Sequence, residues 1–374
     1  MQRDSTASVV KAIGIIAMVV AHAECPGRLS GFIYEWHMPL FFIVSGYFFS
    51  TRYLSDWSTF VKKRIKGIYI PFVTWAVIIL CLHNLFFEVG LLNEHFGNDS
   101  GGVLHPYNWH TFCQRLWAIV FSMSQYDEFI CGAYWFFRAL LVASISYLIL
   151  YKMIAPRVTR WIKTENVAYV VLFVPLLLAL WKCGEGLRIT TLSQGGYRDL
   201  MGAFFYGFGV VFRLNIDRYR TYLQRNAVVT ISAAVLCGVG VYLLSRYWSS
   251  AMLISPNMEK CIALVPGAIL GWMMAYNAST LISGRDSLTK RILVYIGDNT
   301  LYILLFHVLS YKLVSAMKIM YYHLDWQQIG CHMVVHEHNH EDGFWILYAI
   351  VGIAVPLLLH YITKKVDCYM KRRM

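Results

Sequence analysis

Residues 7–24 read ASVVKAIGIIAMVVAHAE, a run of apolar and small residues interrupted by one lysine, one histidine and a closing glutamate. A hydrocarbon core of about 30 Å needs roughly 20 mostly apolar residues in helix, so this stretch predicts a membrane span. The rest of the chain has the same character. Of 374 residues, 58% are hydrophobic and 14% charged, and the mean hydropathy is +0.50. A soluble chain needs about 25% charged residues to cover its surface. The composition therefore implies an all-α, polytopic membrane bundle, a single domain over 1–374, and argues against two or three soluble domains. A net charge of +12 does not point to nucleic acid, because the basic residues fall in short clusters between apolar runs. Topogenic charges are distributed in that way.

The hydropathy pattern predicts about ten spans, near 7–24, 31–52, 67–90, 133–153, 166–181, 199–214, 226–246, 260–279, 292–317 and 343–362. The short apolar stretch 109–123 carries Arg115 and reads as an interfacial or re-entrant helix. Alternate connections are basic: Lys62, Lys63, Arg64 and Lys66, then Lys152, Arg157, Arg160 and Lys163, then Arg213, Arg218, Arg220 and Arg225. Arg285, Lys290 and Arg291 follow, and the tail ends in Lys364, Lys365, Lys371, Arg372 and Arg373. The positive-inside rule then places both termini in the cytoplasm. Only Arg3 precedes the first span as a basic residue, and no small-residue cleavage site follows it, so the segment reads as a retained helix. Nine cysteines show no metal-type spacing. Cys25, Cys113, Cys131, Cys183 and Cys331 would face outward, with no disulfide supported among them.

Ionisable groups inside spans are costly and usually face the bundle interior. Lys11 and His22 stand eleven positions apart, which brings them within about 20° of one helix face and separates them by about 16 Å of rise. A cation nearer the cytoplasm and an imidazole nearer the outer surface would share one stripe. Glu35 and His37 open the second span, at a depth similar to that of His22. A carboxylate beside an imidazole fixes its tautomer and raises its basicity, which suits general-base work. Ser45 and Gly46 interrupt an aromatic run and predict a close helix approach. The segment FVKKRIKGIYIP, 60–71, offers Lys63, Arg64 and Lys66 to a phosphorylated ligand, or serves simply as topogenic charge.

These pieces, in order and spacing, resemble a known family: Lys11-x10-His22, HMPLFFIVSGYFF (37–49), KKRIKGIYIP (62–71), WFFRALL (135–141) and IGDNTLYILLFH (296–307). Together they are similar to the acyltransferase-3 family of membrane-bound O-acyltransferases, which acylate carbohydrates. The resemblance runs from the first helix to the ninth. It implies that His22 takes the place of the essential first-helix histidine. Lys11 stands where arginine is usual, keeping the charge but losing the bidentate fork. The family's basic motif after the second helix aligns with Lys63, Arg64 and Lys66, and Gly67 falls where a second arginine is often found. Acetyl-CoA is the donor that the resemblance implies.

On this reading coenzyme A docks from the cytoplasm near Lys63, Arg64 and Lys66, and its acyl arm enters beside Lys11. His22 deprotonates the acceptor hydroxyl or carries the acyl group, and Glu35 orients it. His37, Trp135, Arg138, Asn299 and His307 are assigned to the acceptor carbohydrate. The loop HMVVHEHNHED, 332–342, has alternating histidines but no helix-face spacing for a metal, so no metal is expected. The expected location is the cell membrane, with acyl-CoA, a carbohydrate acceptor and lipids as partners. A transporter or flippase with a His22, Glu35 and Arg138 proton relay is the competing reading. It predicts two related halves with broken helices, and no internal repeat is visible in the chain.

Overall fold

The computed structural model describes residues 4–96, 105–127, 129–187, 196–339 and 342–373, and among them all regular structure is helical. Fifteen α-helices follow in chain order. They are α1 Ser5–His22, α2 Gly27–Tyr34, α3 His37–Tyr47, α4 Trp57–Arg64, α5 Ile70–Glu88, α6 Trp109–Ser122, α7 Trp135–Val158 and α8 Val167–Gly184. After them come α9 Tyr197–Leu214, α10 Ile216–Leu223, α11 Ala227–Tyr247, α12 Met258–Ser283, α13 Leu288–Asp298, α14 Thr300–Tyr322 and α15 Phe344–Arg373. Eight segments are long and apolar enough to cross a membrane, so the polytopic helical architecture holds.

Two of the expected spans are built differently. The stretch 31–52 is not one helix: α2 ends at Tyr34, and α3 starts at His37 and runs for only 11 residues. Glu35 and Trp36 sit in the break, both fully or nearly fully buried. The stretch 292–317 is likewise divided at Asn299, where the chain passes from α13 to α14. α9 covers the span expected at 199–214, but Arg198, Asp199 and Arg213 keep it out of the eight. α6 has 14 residues, too short for a hydrocarbon core of about 30 Å.

The chain contacts divide into two compact units. The first comprises Met1–Gly14, Gly31–Pro71 and Phe136–Gly297. In it α9 packs on α3 and α8, and α12 packs on α3, α8 and α11. A methyl group at Gly46 would lie 1.9 Å from the Tyr206 carbonyl oxygen, and one at Gly209 would lie 2.0 Å from that of Ile43. Only hydrogen fits at either place, so α3 and α9 touch backbone to backbone. Phe49, Phe60, Tyr147, Val171 and Tyr206 fill the aromatic core beside this crossing.

The second unit comprises Ile15–Ser30, Phe72–Trp135 and Asp298–Met374. Its centre is the α14–α15 pair, with the short turns Gly132–Tyr134 and Trp326–Gly330 packed on α14. Gly352 lets α15 lie against the Tyr311 ring, since a methyl group there would come within 2.5 Å of it. Two fully buried lysines on α14 hold the following loop by its backbone. Lys312 Nζ donates to the carbonyls of Ile329 and Cys331 at 2.8 and 2.7 Å, and Lys318 Nζ donates to that of Val335 and pairs with Asp342. A buried ammonium needs such acceptors to offset its lost hydration.

Candidate active site

His22 is the last residue of α1. Its Nδ1 lies 3.0 Å from Nε2 of His307, and the two rings stack with centroids 5.2 Å apart. His307 sits in the first half of α14, almost wholly buried, and its Nδ1 faces the carbonyl oxygens of Ile303 and Leu304 at 2.9 and 3.1 Å. This arrangement assigns the protons. Carbonyl oxygens only accept, so His307 carries its hydrogen on Nδ1 and a lone pair on Nε2. The contact between the rings must then be donated by Nδ1–H of His22. In the neutral ring Nε2 of His22 is left with the lone pair, the form in which an imidazole is a base or nucleophile.

The surroundings hold both rings in place. Tyr311 stands edge-on to His307, and its hydroxyl donates to the Val19 carbonyl at 2.6 Å, one turn before His22. Beyond His22, Glu24 adopts a left-handed backbone with φ of 54°. Its carboxylate pairs with His336 at 3.1 Å and accepts from the Asn339 amide. Cys25, three residues past His22, is not a competing nucleophile. Burial pushes its thiol up to about 11, so it stays protonated at neutral pH.

The other candidates are distributed as follows. Lys11 lies half-buried on α1, in the part of that helix belonging to the first unit. Glu35 has no exposed surface; its Oε1 accepts the Ser250 backbone N–H at 2.7 Å, and Oε2 lies against Gly267. His37 Nδ1 bonds the Ile33 carbonyl at 2.9 Å, satisfying a helix-end acceptor across the α2–α3 break. Arg64 is held by hydroxyls, with NH1 to Ser45 at 3.1 Å and NH2 to Tyr206 at 3.0 Å, while its guanidinium stacks over Phe60. Lys63 donates to the Tyr53 hydroxyl, and Lys66 is exposed in the π-helical turn Ile65–Tyr69 that links α4 to α5. Asp56 caps α4, and the Thr59 hydroxyl and amide hold its carboxyl below the usual range. Trp135 opens α7, and Asn299 marks the α13–α14 break.

The structure brings together His22 and His307, which sequence reading had given separate tasks. It also adds Asp199, which sequence reading missed: its carboxylate pairs with buried Arg138 at 2.9 Å. The signal was present, since an arginine within a span requires a counter-ion and Asp199 opens another. Of the histidine-rich loop, His336 is engaged by Glu24, and His340 lies outside the described residues. Among the described residues no group of three or more His, Cys, Asp or Glu is placed to hold a metal ion.

The chain is similar to the peptidoglycan O-acetyltransferase OatA of Listeria monocytogenes, 23% identical over 127 residues that cover 32% of this chain and 19% of that protein. No solved structure matches. The family profile described as an acyltransferase domain matches residues 7–363, which include His22, Arg64, Arg138 and His307. An acyltransferase whose described regular structure is all helical, with eight segments among the described residues long and apolar enough to cross a membrane, is thereby identified: the chain belongs to the acyltransferase-3 family.

Proposed function

We propose that the protein moves an acyl group, acetyl by preference, from cytosolic acyl-CoA to a hydroxyl of a carbohydrate at or beyond the outer leaflet. Its termini lie in the cytoplasm and its bundle in the cell membrane. The observation that carries the reading is the proton order from the Ile303 and Leu304 carbonyls through His307 to His22. In the neutral ring it gives Nε2 of His22 the lone pair. As a base, Nε2 takes the acceptor's hydroxyl proton while that oxygen attacks the thioester carbonyl. The carbon–sulfur bond breaks, and the coenzyme A thiolate leaves and recovers a proton. As a carrier, Nε2 attacks the same carbonyl first and passes the acyl group on.

Lys63, Arg64 and Lys66 are assigned to the phosphates of the donor, and Lys11 to its acyl-bearing arm. Arg64 fits best, because hydroxyl partners orient its guanidinium without neutralising it. Arg138, His37, Trp135 and Asn299 are assigned to the acceptor side. The likeness to a peptidoglycan O-acetyltransferase supports a carbohydrate acceptor. For Glu35, the bond to Ser250 favours a role in fixing the α2–α3 break over orienting His22.

The test is transfer from labelled acetyl-CoA to candidate glycans by purified protein, wild type against His22→Ala. A folded mutant with full transfer refutes the assignment. Acid-quenched protein retaining label on His22 in the absence of acceptor would identify the carrier route.

A further inference from the structure

Arg64 is not the only arginine of the first unit that rests on hydroxyls. Arg213, next to the end of α9, donates through NH1 to the Tyr47 hydroxyl at 3.1 Å, its guanidinium 5.1 Å from the centre of that ring. Arg220, on α10, lies against the Tyr276 hydroxyl, which in turn lies against that of Tyr47. Both phenols are buried, and Phe212 and Trp272 pack on them with ring centres 5.1 to 6.4 Å apart. Both arginines are exposed, so two cations converge above one rigid aromatic base. Residues 213–225 hold four arginines and one carboxylate, Asp217, which stands a turn before Arg220. Asp4 accepts from the Tyr47 hydroxyl at 3.5 Å and caps α1, which puts the cluster on the side of the membrane where α1 begins. An arginine that only sets topology has to lie on the correct side. Drawing two together costs repulsion, which a multiply charged anion relieves.

We propose that Arg213 and Arg220, seated on Tyr47 and Tyr276, bind the 3′-phosphate on the ribose of the coenzyme A donor, while Arg64 binds its pyrophosphate. The proposal rests on the acyl-CoA reading and divides the donor's phosphates between two levels of one helix. Tyr206 and Arg213 are seven residues apart on α9, within about 20° of one face and about 10 Å of rise. Both look toward α3, since the Tyr206 carbonyl meets Gly46 and Arg213 meets Tyr47. Arg64, held by Tyr206, is therefore the deeper cation and Arg213 the one at the helix end. Coenzyme A has the matching order: the pyrophosphate adjoins the arm that carries the thioester, and the ribose phosphate lies beyond it. The charges match as well. A phosphomonoester carries about −1.5 to −2 near neutral pH with three terminal oxygens, enough for two guanidinium forks. Each phosphorus of the pyrophosphate is a diester with one charge, which a single fork meets.

The experiment compares two donors that differ by this one group, acetyl-CoA and acetyl-3′-dephospho-CoA, using the full-length protein. The ratio of their kcat/KM values should be at least about tenfold in favour of acetyl-CoA in wild type, the worth of charged hydrogen bonds to one phosphate. It should fall toward one in Arg213→Gln and in Arg220→Gln. Arg213→Lys, which keeps the charge and loses the fork, should lie between. Because the ratio cancels a general loss of activity, damage to the fold does not imitate the result. A ratio near one in wild type, or one that both glutamine variants leave unchanged, overturns the proposal. Binding gives the same comparison without turnover. On the His22→Ala protein, coenzyme A should displace labelled acetyl-CoA at a concentration about tenfold lower than 3′-dephospho-coenzyme A does. Equal displacement by the two, or none by either, also overturns it. Failure of the acyl-transfer reading shows up differently, as full transfer by His22→Ala or no transfer from either donor by wild type, and the displacement ratio still decides the phosphate site.

Discussion

Two histidines of the second unit, His83 fully buried and His22 partly buried, each pair through Nδ1 and differ in the kind of partner. His83, on α5, faces the Asp127 carboxylate at 2.7 Å through Nδ1 and the His105 carbonyl at 3.0 Å through Nε2. Its ring lies parallel to Tyr107 with centroids 3.5 Å apart, and both partners of the pair are 0% exposed. A histidine with a carboxylate is the arrangement commonly sought in an active site. Here both nitrogens face oxygens of the protein, so the ring is engaged on both sides. His22 has an imidazole for a partner where His83 has a carboxylate, and that partner is itself fixed by backbone carbonyls. The pairing decides which nitrogen of His22 bears hydrogen in the neutral ring.

The largest effect that would sharpen this contrast is loss of His22. His22→Ala should lower acyl transfer by at least about 10³-fold while the protein stays folded, as judged by its helical signal and elution volume. Next comes the partner. His307→Ala should cost about 10²-fold in kcat, because either nitrogen of His22 can then carry the hydrogen. His307→Gln, whose amide oxygen can accept from Nδ1–H of His22, should recover part of that loss. Nitrogen-15 shifts of labelled His22 would report the Nδ1–H form in wild type and a mixture in the alanine variant. An unchanged tautomer in His307→Ala breaks the comparison.

On the donor side, Arg64→Lys should raise KM for acyl-CoA about tenfold with a smaller change in kcat, since lysine cannot meet both hydroxyls and a phosphate at once. The smallest catalytic effect belongs to the other histidine. Asp127→Asn should leave kcat per folded molecule within about twofold of wild type, yet destabilise the protein by about 3–5 kcal/mol, the usual cost of breaking a buried pair. Thermal unfolding in detergent measures the second quantity. A large fall in kcat without loss of stability would move His83 into the chemistry.

The fold was legible because membrane helices are specified by composition and length, and both are local properties of the chain. Lys11 and His22 share α1 as the eleven-residue spacing requires, and Ser45-Gly46 marks a close helix approach as its small residues imply. The breaks at Glu35 and Asn299 are not legible, because hydropathy averages across a single polar residue, and the Ser250 N–H that meets the Glu35 carboxylate is 215 residues away. Pairing was hidden for the same reason. His307 was selected as an intramembrane polar group, but nothing in a linear pattern says that its Nε2 meets position 22, 285 residues away. Asp199 was overlooked because it sits at the first turn of a span, where a charge passes for a boundary residue.

The crossing of α3 and α9 has a consequence for how Arg64 is held. Ser45 and Tyr206, which orient Arg64, flank the very contact at which Gly46 meets the Tyr206 carbonyl. A single added methyl at Gly46 or Gly209 would act as a wedge, prising the hydroxyls apart with no change to any charged group. The setting of the Arg64 guanidinium is therefore tuned by what is absent from two positions, and alanine, the mildest of replacements elsewhere in a helix, is the harshest there.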